Sequence, residues 1–124
     1  MSDAPLLIWF DLLEELGLVV ITAKGPVDGY TYDLLQKRIN QSIADGHYRI
    51  VVDLSGVNYI SSAGLGVFIA ARNIVIEKGG SIVLLNLSKP VREIFRALSM
   101  DEYMNVANSM QDAIAAFQPR KKTG

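Results

Sequence analysis

Two adjacent serines, Ser61 and Ser62, are the residues of this chain best placed to do chemistry. They follow an apolar run ending in an aspartate (Val51-Val52-Asp53), a Leu54-Ser55-Gly56 turn and a second apolar-aromatic step, Val57-Asn58-Tyr59-Ile60. They precede Ala63-Gly64-Leu65-Gly66-Val67, which opens an apolar segment free of proline. A strand, a loop and a helix start account for that order. A serine at a helix start has two uses. Its hydroxyl accepts from an unpaired N–H of the first turn, or it carries an added anion that the positive helix end tolerates. On these residues alone both readings stay open. Ser62, directly before the apolar segment, is the expected cap.

Catalysis by these hydroxyls is disfavoured. No glycine stands two residues before either serine, so there is no nucleophile elbow. The single histidine, His47, falls at the far end of the strand that leads to the serines, about 20 Å away at ~3.3 Å per residue. Asp28 and Asp53 are the carboxylates expected near Ser62, but two acids and a hydroxyl without a metal motif define no reaction class. Gly64-Leu65-Gly66 begins a dinucleotide fingerprint, and Ile69 stands where its third glycine belongs; no Gly-Lys-Ser/Thr follows any glycine loop. The expectation is a protein that is not an enzyme, with no cofactor and no metal site.

The elements that hold the serines are legible from punctuation and period. Leu6–Leu13 and Leu18–Ala23 read as strands joined by the turn Glu14-Glu15-Leu16-Gly17, a hairpin. The second run is β-branched and continuous, as in a strand covered on both faces. A helix is expected over 31–45, burying Leu34, Leu35, Ile39 and Ile43 and ending at Asp45-Gly46. Arg49–Leu54 is the central strand. The next helix, about 63–78, is apolar on two sides: Leu65, Phe68, Ile69 and Ile76 around Arg72, and Val67, Ala71, Ile74 and Val75. That pattern suits a helix held between a sheet and a neighbouring helix. Ser81–Asn86 is a strand. Ser88 caps a helix with Pro90 in its first turn and Val91, Ile94, Phe95 and Leu98 inward. Tyr103–Val106 is a short last strand, and Ser109 caps a final helix with Met110, Ala113, Ile114 and Phe117 inward. Strands alternating with helices imply parallel pairing through right-handed crossovers. The expected architecture is α/β, a predominantly parallel sheet with an N-terminal hairpin and about four helices. Gly64 and Gly66 each disfavour a helix start by about 1 kcal/mol, so close backbone approach is expected at Gly64.

Composition narrows the class. The 124 residues suffice for one domain. Half are hydrophobic and 20% charged, enough for a core and unlike a disordered chain. A net charge of −1 argues against nucleic-acid binding by phosphate neutralisation, and the absence of cysteine removes disulfides and thiolate metal sites. Met1-Ser2-Asp3-Ala4-Pro5 carries no leader pattern and no apolar run is long enough to span a membrane, so a cytoplasmic protein is expected. The basic end, 118–124, is expected to fray.

Asp53-Leu54-Ser55, Val57, Tyr59-Ile60 and Ser61-Ser62-Ala63-Gly64-Leu65-Gly66, at this spacing, resemble the signature of STAS domains, and among them the bacterial anti-sigma factor antagonists. The resemblance covers about 5–117 of a single domain, 1–124. It implies that Ser62, two residues before Gly64-Leu65-Gly66, is phosphorylated by a partner kinase. It also implies a partner-binding surface of Asp28, Ser61, Ser62, Ala63, Gly64, Leu65 and Gly66. Ser61 replaces a common aspartate, which sets two hydroxyls side by side. The implied partners are an anti-sigma factor that is also a serine protein kinase, and a serine phosphatase; a homodimer is compatible with the resemblance. The alternative is a non-cycling STAS scaffold subunit of a stress-signalling or lipid-transport complex.

Overall fold

The computed structural model describes residues 5–117; the sequence expectations for the first four residues and for the basic tail lie outside them. Strand β1 (Leu7–Leu13) and strand β2 (Leu18–Lys24) form the hairpin, antiparallel from Leu13↔Leu18 to Leu7↔Lys24. One 3-10 turn, Glu14–Leu16, connects them. Gly17 closes it at φ 63°, its N–H bonded to the Glu14 carbonyl at 3.1 Å, a conformation that costs glycine little.

Strands β3 (Arg49–Gly56), β4 (Ser81–Leu85) and β5 (Asn105–Ala107) add in parallel, giving the order β1-β2-β3-β4-β5. Parallel neighbours need crossovers. These are helix α1 (Tyr32–Ala44), helix α2 (Ser62–Glu77), and helices α3 (Lys89–Ala97) and α4 (Met100–Tyr103). Strand order follows chain order, so crossovers of one hand put these helices on one face. There Val19, Ile21, Ile50, Val52, Leu54, Ile82 and Leu84 pack with Leu35, Ile39, Phe68, Val75, Val91 and Phe95. Phe68 and Phe95 are fully buried, each stabilising the fold by about 2 kcal/mol through burial. The other face carries Val20, Val51, Val83 and Leu85, covered with Ala107 by helix α5 (Met110–Ala115) through Ala113. Arg49 fastens that cover: its Nη2 donates to the Phe117 carbonyl at 3.1 Å. Burial on both faces is why β2, β3 and β4 are written as continuous apolar runs. No helix among the described residues is long and apolar enough to cross a membrane.

Several side chains depart from their expected places. Leu34 on α1 and Leu98 after α3 are exposed, because each lies beside the buried stripe and past its edge. Ile74 and Ile76 are also exposed, so the outer side of α2 is open where two covered sides were expected. Arg72, in the middle of one of those apolar sides, stacks over the Tyr103 ring at 4.3 Å. Tyr103 itself belongs to α4, and the last strand starts at Asn105. Ser99, at φ 55°, is the reason: a left-handed residue breaks the helix after α3 and starts a separate turn, the fifth helix beside the four read from sequence.

Candidate functional site

The serines sit where three loops are tied together beyond the carboxyl ends of β2, β3 and β4. β2 and β3 part company at Gly56, but their pairing continues through the isolated parallel bridge Val27↔Ile60. Gly25 N–H donates to the Gly56 carbonyl at 3.0 Å, Val27 N–H to Tyr59 at 3.0 Å, and Ser61 N–H to Val27 at 2.8 Å. Val27, Val57 and Ile60 point inward and are buried. From the third loop, the Ser88 hydroxyl donates to the Val57 carbonyl and accepts from Val91 N–H at 3.4 Å. The latter bond makes Ser88 the expected cap of α3. Apolar anchors below and backbone bonds across the loops leave the start of α2 little freedom to move.

The cap of α2 is Ser61, correcting the assignment to Ser62. Ser61 is extended, at φ −84° and ψ 172°, and its Oγ accepts from Gly64 N–H at 3.3 Å. Ser62 is the first helical residue; it is exposed, and its hydroxyl has no hydrogen-bond partner among the described residues. The extended conformation decides the matter: an N-cap residue sits just outside the helix, and the bridge to Val27 holds Ser61 there. Ser61→Ala should therefore lower stability by about 1 kcal/mol, whereas Ser62→Ala should change it by no more than about 0.5 kcal/mol. Urea denaturation of the two variants measures this, and the reverse order would restore Ser62 as the cap.

The remaining expected site residues divide. Gly64 and Leu65 are buried under the first turn, Ala63 is half-buried and Gly66 is exposed. Asp28 lies directly after the bridge residue Val27, so its loop does run beside Ser61. One of its carboxylate oxygens is committed locally, however. Oδ1 accepts from Tyr30 N–H at 2.8 Å and Thr31 N–H at 3.2 Å, while Asp28 N–H donates to Thr31 Oγ1 at 2.9 Å. This reciprocal pair secures the entry to α1. Asp53 is not brought to the serines. It pairs in register with Thr22 and Leu85, on the sheet face that α5 covers, and accepts from Ser55 N–H at 2.9 Å. His47 lies before β3, at the strand end opposite the serines, with its N–H bonded to the Ser42 carbonyl at 2.9 Å. The three groups of a hydrolytic triad are thus dispersed.

Sequence reasoning gave no site role to two aromatic residues on the same loops. Tyr30 is 87% exposed and Tyr59 is 51% exposed, and they lie on the loops that Val27 and Ile60 bridge. Large aromatic side chains in solvent beside an exposed helix start are typical anchors for a protein partner. The available signal was their placement on loops anchored by buried residues, Tyr59 next to Ile60 and Tyr30 three residues after Val27, where a residue fixed in position has no core to enter.

Comparison with known proteins adds to this geometry. Residues 10–113 match the family model of the STAS domain. BtrV of Bordetella bronchiseptica, a candidate anti-sigma factor antagonist, is 32% identical over 102 residues, 82% of this chain and 88% of that protein. The crystal structure of an anti-sigma factor antagonist from Mycobacterium paratuberculosis has a TM-score of 0.83 at 20% identity, covering 95% of this chain and 98% of that one. The Bacillus cell fate determinant SpoIIAA in its phosphorylated form has a TM-score of 0.68 at 20% identity, covering 89% and 98%.

Proposed function

Because the chain belongs to the STAS domain family, with anti-sigma factor antagonists among its relatives, we propose that it binds an anti-sigma factor that is also a serine kinase, and that phosphorylation of Ser62 ends the binding. The observation that carries this reading is the exposed hydroxyl of Ser62, without a hydrogen-bond partner among the described residues, at the first position of α2 on loops fixed from three sides. The contact surface is formed by Asp28, Ser61, Ser62, Ala63 and Gly66, with Tyr30 and Tyr59 at its sides and the buried Gly64 and Leu65 supporting the turn from beneath. Gly66 is exposed and has no side chain, which lets a partner backbone come close. A phosphatase returns the protein to its binding form, and a cycle that uses ATP belongs in the cytoplasm. The chain acts by binding and is not itself a catalyst.

The charge arithmetic favours a surface switch over an unfolding one. A phosphoryl group brings about −1.5 to −2 charge at pH 7. At the amino end of α2 it meets the positive end of the helix and is favourable by roughly 0.3–1 kcal/mol. The modified domain therefore stays folded, and the added charge acts against the partner through desolvation and repulsion. Incubation with the cognate kinase and ATP, followed by fragmentation mass spectrometry, should place one phosphate on Ser62 and none on Ser61. Phosphate on Ser61 would show that the register is wrong by one residue. An unlabelled protein would favour a STAS scaffold that does not cycle.

A further inference from the structure

Among the described residues β1 is an edge strand with no strand on its outer side, and it is unusually apolar. In β1, Leu7-Ile8-Trp9-Phe10-Asp11-Leu12-Leu13, one residue is charged and none is proline, whereas edge strands are commonly blunted by charge or proline. Leu7 is 47% exposed and Trp9 52%, on the face that α5 covers only in part; Phe10 is 39% exposed on the other. Beside this edge, Leu6, Ile8, Leu34, Lys37, Arg38 and Gln41 line a groove of about 450 Å³. The Arg38 guanidinium lies over Phe10, 3.9 Å from the ring centre, and its buried Nε has no hydrogen-bond partner among the described residues. The groove thus presents two cations on an apolar floor. At the other end of the same strand the hairpin tip carries Glu14 and Glu15, both exposed.

We propose that β1 is a dimer edge, where two copies pair antiparallel about a two-fold axis at Phe10 and each seats its Glu14-Glu15 tip against the other's Lys37 and Arg38. Three constraints select this arrangement. First, residues opposite one another in an antiparallel ladder share a face, so a continuous sheet must pair odd residues with odd and even with even. Second, an axis at Phe10 pairs the whole strand, Leu7 with Leu13, Ile8 with Leu12 and Trp9 with Asp11. An axis at Asp11 would set two carboxylates directly opposite, which is unfavourable, and an axis at Trp9 shortens the ladder. Third, with the axis at Phe10, Glu14 of one copy falls opposite Leu6 of the other, a residue of the cationic groove. The acidic tip and the basic groove then meet twice in each dimer, as an isologous interface requires.

Trp9, the only tryptophan of the chain, reports on this edge directly. Sedimentation velocity of the full chain over a dilution series should show a reversible dimer, with Trp9 emission moving to the blue as dimers form. Glu14→Lys combined with Glu15→Lys alters exposed positions and should weaken the dimer about tenfold. Adding Lys37→Glu and Arg38→Glu should recover most of the loss. A wild-type protein that stays monomeric at its highest soluble concentration overturns the proposal. A dimer that ignores the tip substitutions, with emission independent of concentration, also overturns it by putting the interface elsewhere.

Discussion

Ser62→Ala should bind the proposed anti-sigma partner with the affinity of the wild type and stay bound when ATP is added. The substitution removes one hydroxyl from an exposed position without hydrogen bonds among the described residues, so the unmodified surface is scarcely altered. On the proposed cycle, what it removes is the acceptor of the phosphoryl group. That group would place up to two negative charges against a partner surface that receives a neutral serine. Such a mismatch at a desolvated contact costs about 3 kcal/mol, roughly a hundredfold in affinity. Ser62→Asp should weaken binding less, since a carboxylate has a single charge and lacks the third oxygen. Ser61→Ala should still be released by ATP, as its hydroxyl serves the helix cap. Co-elution of each variant with the partner, with and without ATP, tests all three. Release of Ser62→Ala by ATP would exclude Ser62 as the switch.

The sheet and its order of elements were legible because they rest on local rules. Continuous β-branched runs bounded by glycine define β2 and β3, and serines followed by helical periods define the starts of α2, α3 and α5. What sequence reasoning missed depends on three-dimensional neighbours. Whether Ser61 or Ser62 caps α2 is decided by the bridge to Val27, from a loop more than thirty residues earlier. Asp53 looks close to the serines along the chain, but strand alternation sends it to the opposite face. Asp28 reads from the sequence as a loop aspartate and, by resemblance, as a contact residue; its Oδ1 takes the first role, and its loop runs beside Ser61. The exposure of Leu34, Ile74, Ile76 and Leu98 could not be read from periodicity, since helical spacing marks a side of the helix but not how far its neighbours reach.

Gly64→Ala and Gly66→Ala should move stability in opposite directions although they lie two residues apart in one helix. Alanine favours a helix interior over glycine by up to about 1 kcal/mol, and at Gly66 nothing stands within 4 Å of the added methyl group. Gly66→Ala should therefore be neutral or stabilise by up to about 1 kcal/mol. At Gly64 the methyl group would lie 2.7 Å from Val27 Cγ1, 3.0 Å from Ile60 Cγ2 and 3.3 Å from the Val27 carbonyl oxygen. Val27 and Ile60 are branched and buried, so their side chains have no open space to rotate into, and their backbones cannot withdraw without breaking the bonds that hold the loops together. Overpacking of this kind costs about 1–3 kcal/mol, more than the helix gains, and the expected net loss is about 1–2 kcal/mol. Relief of the clash must lift the first turn of α2, so Gly64→Ala should also bind the partner more weakly, through displaced serines. Urea denaturation and a binding isotherm on both variants separate the two roles of glycine. Weaker binding by a fully stable Gly66→Ala would mark close approach by the partner, while wild-type stability and binding in Gly64→Ala would refute the tight contact between α2 and the Val27 loop.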